Sequence, residues 1–176
     1  MKTENTQGGH MKKLIAPAAL TVLKIWASVW LTFLVSMIPL YILRGQSFAS
    51  PERKDFFENL IMALVGLSVG FLFLMLLQRG TDRAERMTFR ESFAVAGMAA
   101  GTYFLLTALL WVIGRNNYIF AGCLYHLECL LGAAESGRPS FLGMLLGSLI
   151  GGGVQLGALV LGSHMAKRRR MRFLKK

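Results

Sequence analysis

Four long apolar runs, separated by short polar segments, dominate the pattern of the chain. Each is close to 20 residues, the length at which a helix crosses a hydrocarbon core about 30 Å thick. The predicted spans are residues 25–43, 60–77, 93–113 and 141–163, and none of them contains Asp, Glu, Lys or Arg. Because these runs are about twice the ~9–11 residues of a barrel strand, the pattern predicts an all-α polytopic membrane protein with a bundle of four transmembrane helices.

The third connecting segment, residues 114–140, departs from this pattern. Its stretch 117–134 is too apolar for a plain exposed loop, and helical spacing gives it two different faces. One face would carry Phe120, Cys123, Leu124, Leu127, Leu130 and Leu131, and the other Tyr118, Gly122, Tyr125 and Cys129. We therefore expect an extra helix that is interfacial or re-entrant. A helix that caps the bundle by packing on its own partners is an alternative that the pattern leaves open.

The distribution of Lys and Arg predicts the orientation. Fifteen of the twenty lie in the N-terminal segment, the second loop and the C-terminal segment, and five lie in the first and third loops. By the positive-inside rule, both termini are expected on the cytoplasmic side of a plasma (inner) membrane. The expected organisation is a cytoplasmic tail over 1–13, a transmembrane domain over 14–164 and a basic cytoplasmic tail over 165–176.

Composition agrees with a membrane protein and narrows its partners. Hydrophobic residues make up 54% of the chain and charged residues 16%, against roughly 25% charged in soluble domains. The net charge of +11 would also suit nucleic acid. However, the basic residues flank apolar runs, so we expect a lipid bilayer and no nucleic acid. The candidate contacts for anionic lipid headgroups are Arg168, Arg169, Arg170 and Arg172, although a plain topology anchor would need the same residues.

Glycines at four-residue spacing are the strongest signal in the sequence. Such ridges remove side chains from one helix face and let two backbones approach closely in lipid. The candidate packing residues are Gly66 and Gly70 in the second span, Gly97 and Gly101 in the third, and Gly143, Gly147, Gly151, Gly153 and Gly157 in the fourth. They predict tight helix association, either within one chain or with another membrane protein or a second copy.

The third loop also contains the only metal-like spacing, C-x2-H-x2-C, formed by Cys123, His126 and Cys129. On a regular helix the two cysteines are about 9 Å apart along the axis. One ion with bonds near 2 Å does not easily reach all three side chains, so we predict no metal site and no cofactor. A disulfide between the cysteines would require the helix to break.

Three functions remain open on this evidence. The first is an integral membrane subunit or accessory of a larger membrane assembly, such as a transport complex. The second is a self-associating small-solute transporter or channel lined by Gln155, Thr102 and Thr107, which are polar residues inside the spans. The third is a membrane enzyme that uses the outer loop, with His126, Glu128 and the cysteines as reactive groups. No phosphate-binding loop, nucleophile elbow or zinc-protease motif occurs in the chain.

Overall fold

The computed structural model is all-helical and confirms the four-helix prediction. It describes residues 4–46, 48, 50–80, 88–113, 123–132 and 139–173, without the side chains of 4–13, 44, 123–124 and 172–173. Its helices are α1 (Glu4–Arg44), α2 (Pro51–Arg79), α3 (Phe89–Val112), α4 (Cys123–Leu131) and α5 (Phe141–Phe173). All except α4 are long and apolar enough to cross a membrane.

The spanning helices are longer than their apolar runs. α1 already begins at Glu4, and α5 continues without a break to Phe173. The basic residues from Lys167 to Arg172 therefore lie in the last turns of a spanning helix. Helix ends carry no hydrophobic signature, so the apolar runs mark where lipid is crossed and not where the helices begin and end.

Local hydrogen bonds explain where α2 and α3 begin. The side chain of Ser50 accepts from the backbone N–H of Arg53 at 3.4 Å, and Pro51 follows it at the first helical position, where proline is favoured. Thr88 and Glu91 form a capping box, in which Thr88 Oγ1 accepts from Glu91 N and Glu91 Oε2 accepts from Thr88 N. Each arrangement satisfies backbone donors that the first turn of a helix leaves open.

The four long helices alternate in direction, so the bundle has two ends. At the α4 end, α1 and α3 finish while α2 and α5 begin; at the tail end, α2 finishes, α3 begins and α5 runs out into its basic turns. α2 packs against α1 and α5, and α3 packs against α1 and α5. The buried core includes Ile25, Leu74, Ala99 and Leu159. Many large apolar side chains are exposed on the outside, as expected where the surrounding solvent is lipid.

A polar network ties three helices together near the tail end. Lys24 Nζ donates to Gln78 Oε1 at 2.7 Å, and Gln78 Nε2 donates to Ser163 Oγ at 2.9 Å. Beside this network, a Cβ at Gly162 would lie 2.6 Å from the carbonyl oxygen of Met75. α5 therefore passes α2 with backbone nearly touching backbone, a distance that only glycine permits.

Candidate functional site

The third-loop helix α4 packs inside the α4 end of the bundle, against α2 and α5. Its C-terminal end is joined to the start of α5, because the backbone N–H of Ser140 donates to the carbonyl of Gly132 at 2.7 Å. The indole of Trp111 in α3 donates to the carbonyl of Pro139 at 3.2 Å. The predicted extra helix is thus confirmed as an inserted element. The predicted residues 117–122, which include Tyr118, Phe120 and Gly122, lie outside the described residues.

Two glycines of the α5 ridge make room for α4. A Cβ at Gly143 would collide with the carbonyl oxygen of Glu128, and one at Gly147 would lie 2.5 Å from Glu128 Cγ and 2.9 Å from its Cα. The backbones of α4 and α5 therefore approach without any intervening side chain. The ridge predicted from the sequence is used here within one chain, and its partner is the short helix in the third loop.

This close contact buries Glu128. The residue is 1% exposed, and its Oε1 accepts a hydrogen bond from Ser148 Oγ at 3.0 Å. Ser148 lies seven residues after the start of α5 at Phe141, or about 10 Å along the helix axis. The carboxyl group therefore sits well below the rim of the bundle. The four apolar runs contain no Asp, Glu, Lys or Arg, yet α4 brings a glutamate between the spanning helices.

A small cavity adjoins the Glu128 carboxyl group. The cavity has a volume of about 10 Å³, and its polar lining residues are Tyr103 and Thr107 of α3, Glu128 of α4 and Ser148 of α5. This is at most the space of one water molecule. Thr107, one of the polar residues singled out from the sequence, is buried here and donates to the carbonyl of Phe104 at 2.8 Å.

His126 joins α4 to α2. Its Nδ1 lies 2.6 Å from Asn59 Oδ1, and burial lowers the pKa of His126 to about 4. The imidazole is therefore neutral near pH 7, and a proton on Nδ1 makes it the donor to the asparagine oxygen. Its bond to Asn59 makes the ring a fixed structural contact.

The cysteines provide no evidence for a metal or redox site. Cys129 is a free, buried thiol, and burial raises its pKa, which disfavours the reactive thiolate. Helix α4 is unbroken from Cys123 to Leu131, so the two cysteines keep the separation that disfavours a bridge. Within the described part of the chain, no group of three His, Cys, Asp or Glu residues could hold an ion; the side chain of Cys123 lies outside it.

The remaining polar candidates lie apart from the Glu128 cavity. Gln155 is buried and lines a separate cavity of about 30 Å³ between α1, α2 and α5, to which Ser28, Thr32, Gly66, Gly70 and Gly151 also contribute. Gln155 Oε1 has no hydrogen-bond partner among the described residues. Thr102 lies on the exposed side of α3, where its hydroxyl donates to the carbonyl of Met98. The structure therefore brings Thr107 to Glu128 and leaves Gln155 and Thr102 elsewhere.

The other glycines differ in whether an added Cβ would meet a neighbouring residue (occupied positions) or empty space (open positions). A Cβ at Gly70 would contact Thr32 at 3.4 Å, and one at Gly157 would contact Phe71 at 3.9 Å. At Gly97, Gly101 and Gly153 a Cβ would meet none of the described residues within 4 Å. These three residues are exposed. α3 thus presents a pair of glycines, one helical turn apart, on the outside of the bundle.

The basic residues of α5 also divide into two groups. Arg168 lines a groove between α5 and the start of α3. Arg169 and Arg170 are exposed on the same helix and do not line that groove. The side chain of Arg172 lies outside the described residues.

Comparison with proteins of known function adds no assignment of residue roles. No family model matches the chain, and no curated protein or solved structure is significantly similar to it. The roles of Glu128 and of the open glycines therefore follow from their contacts alone.

Proposed function

We propose that the protein is an integral membrane subunit of a larger membrane assembly, and that the exposed face of α3 around Gly97 and Gly101 contacts another membrane protein. The observation that carries this proposal is the open space at both glycines, where an added Cβ meets nothing within 4 Å. Neighbouring exposed positions on this face are Ala94, Met98 and Thr102. Together with the two glycines they form a strip in which Met98 is the one large side chain.

The other glycines of the same chain support this interpretation. Gly143 and Gly147 receive the backbone of α4, and Gly162 receives the backbone of α2. These three glycines mark places where another backbone approaches a spanning helix. Gly97 and Gly101 have the same spacing as Gly143 and Gly147, and none of the described residues approaches them within 4 Å.

Helix energetics point in the same direction. A glycine inside a helix costs roughly 0.5–1 kcal/mol relative to alanine. In lipid, a helix gains association energy from close packing and not from the hydrophobic effect. Two open glycines facing lipid would carry this cost with no compensating contact, whereas a partner helix seated on them would offset it.

A pair of leucine variants tests the proposal. Gly97→Leu with Gly101→Leu fills the strip, and Ala27→Leu, on the exposed side of α1, adds the same kind of side chain elsewhere. After gentle extraction and affinity purification, wild type and the Ala27 control should retain the same second protein. The Gly97/Gly101 variant should lose most of it without losing helicity. Equal retention by all three proteins would reject the α3 contact.

The buried Glu128 favours a second candidate, a self-associating small-solute transporter or channel. Ionisable groups inside membranes are rare, face the interior and often mark ion or proton pathways. Glu128 fits this description at 1% exposure, beside the hydroxyl of Ser148. In proteoliposomes that contain this protein alone, Glu128→Gln should then abolish a cation or proton flux that Glu58→Gln, on the α4 end of α2, leaves intact. Absence of flux in the wild type would remove this candidate.

The geometry of α4 does not favour the third candidate function, a membrane enzyme that uses the third loop. Glu128 and Cys129 are buried, and the cavity beside Glu128 has a volume of only about 10 Å³. His126 is held by Asn59. An enzyme would need room for a substrate beside these groups.

A further inference from the structure

A groove at the tail end of the bundle combines cationic and apolar walls. It lies between the first turn of α3 and the last turns of α5 and has a volume of about 380 Å³. Its lining residues are Phe89, Ser92, Val160, Ser163, His164, Lys167, Arg168 and Met171. This volume is many times that of the cavities beside Glu128 and Gln155.

The charges of the groove suit an anion. Lys167 and Arg168 are exposed on α5 and line it, with His164 beside them. The opposite wall begins at the N-terminal turn of α3, where the helix dipole is positive. The acidic residue of that turn, Glu91, has its carboxylate turned back to accept hydrogen bonds from Thr88.

The depth of the groove matches a lipid headgroup and the start of its chains. Val160 lies 19 residues after the start of α5 and Lys167 lies 26 residues after it, or about 28 Å and 39 Å along the axis. A hydrocarbon core is about 30 Å thick. With Phe141 at one edge of the hydrocarbon, Val160 lies near the opposite edge and Lys167 lies at the level of the headgroups.

The apolar wall separates this site from a simple phosphate site. Val160 lies about 10 Å deeper along α5 than Lys167, so the cations are positioned above it and it contacts the start of an acyl chain. Phe89 and Met171, which are both more than half exposed, add apolar surface at the level of the headgroups. We propose that the groove binds one anionic phospholipid, with its phosphate against Lys167, Arg168 and the first turn of α3 and one acyl chain along Val160. This proposal is independent of the partner at the α3 face.

A charge-matched pair of variants tests the site. Lys167→Gln with Arg168→Gln removes two cations that line the groove, and Arg169→Gln with Arg170→Gln removes two exposed cations of the same helix end that do not line it. Retention of phosphatidylglycerol over phosphatidylcholine is measured by native mass spectrometry of the purified, full-length protein. We expect the groove variant to lose phosphatidylglycerol retention roughly tenfold or more, because it removes both charge-assisted side-chain contacts to the phosphate, and the control to stay within about twofold of wild type.

Two further measurements identify the ligand. Inorganic phosphate at millimolar concentration should leave the retained lipid in place, and Val160→Asn should weaken retention while leaving helicity unchanged. Equal losses in the two charge variants would reduce the effect to diffuse attraction by the tail and overturn the site. Displacement by inorganic phosphate, or no preference for phosphatidylglycerol in wild type, would also overturn it.

Discussion

Ser148 Oγ donates a hydrogen bond to Glu128 Oε1 across 3.0 Å, joining the third-loop helix to α5 inside the bundle. The contact exists because Gly147, the preceding residue of α5, lets the backbone at Glu128 approach without an intervening side chain. One residue thus provides the space and its neighbour provides the donor. α4 is thereby an integral part of the bundle.

Removing the donor should destabilise the protein. Ser148→Ala leaves a buried carboxyl group with one hydrogen bond fewer, at a cost of about 1–3 kcal/mol. Ser68→Ala is the matched control, because Ser68 is exposed and bonds only to the carbonyl of Leu64 within its own helix. Thermal unfolding in detergent should show a clear loss for Ser148→Ala and almost none for Ser68→Ala. Equal melting temperatures would show that the Glu128–Ser148 bond contributes nothing measurable.

A single methyl group should distinguish occupied from open glycines. At Gly147 the new Cβ would lie 2.5 Å from Glu128 Cγ, and overpacking of this kind costs about 1–3 kcal/mol. At Gly153 it meets nothing within 4 Å, so the higher helix propensity of alanine should leave stability unchanged or slightly raised. The melting temperatures of Gly147→Ala and Gly153→Ala should therefore move apart. A fall of the same size in both would contradict the α4–α5 contact.

The tail-end network should behave as one unit. Gln78 accepts from Lys24 and donates to Ser163, so Lys24→Met and Gln78→Leu should not be additive. A double-mutant cycle on the free energy of unfolding should give a coupling energy of about 0.5–3 kcal/mol between the two residues. The exposed pair Lys54–Glu58, at 3.9 Å, is the comparison, and about 0–0.5 kcal/mol is expected there. Additive effects at Lys24 and Gln78 would refute the network.

Acid should weaken the contact between α4 and α2. The pKa of His126 is about 4 in the folded protein against roughly 6.5 when unfolded, so the folded state binds fewer protons between these values. Its stabilising contribution is complete above pH 6.5 and is lost as the pH falls towards 4. Over this window the melting temperature of wild type should fall more steeply than that of His126→Gln. Parallel pH profiles would show that His126 is not buried as described.

The spans could be predicted from the sequence, because crossing lipid needs about 20 apolar residues and little else. The helix ends could not, since residues such as those from Lys167 to Phe173 continue α5 without any hydrophobic signature. The apolar face predicts the extra helix, but it does not decide between an interfacial, a re-entrant and a capping position. Burial of Glu128 depends on what α4 touches, and periodicity within residues 117–134 contains no information about Gly147 or Ser148.

The glycine ridges predicted close approach, but not which partner each would meet. The ridge left the partner of Gly143 and Gly147 open, within the chain or in another protein, and in the structure they meet the nine-residue α4. Gly97 and Gly101 have the same four-residue spacing and remain open. Spacing along a helix fixes which residues share a face. The direction of that face is set by the rest of the bundle.

The most direct test of the assembly proposal is native mass spectrometry of the wild-type protein, gently extracted from its own membrane. The proposal predicts a complex in which this chain is joined by a second protein in fixed stoichiometry. That second protein should be missing from the Gly97→Leu, Gly101→Leu variant. Recovery of the wild-type chain alone, as a stable monomer or as a closed oligomer of identical copies, would contradict it.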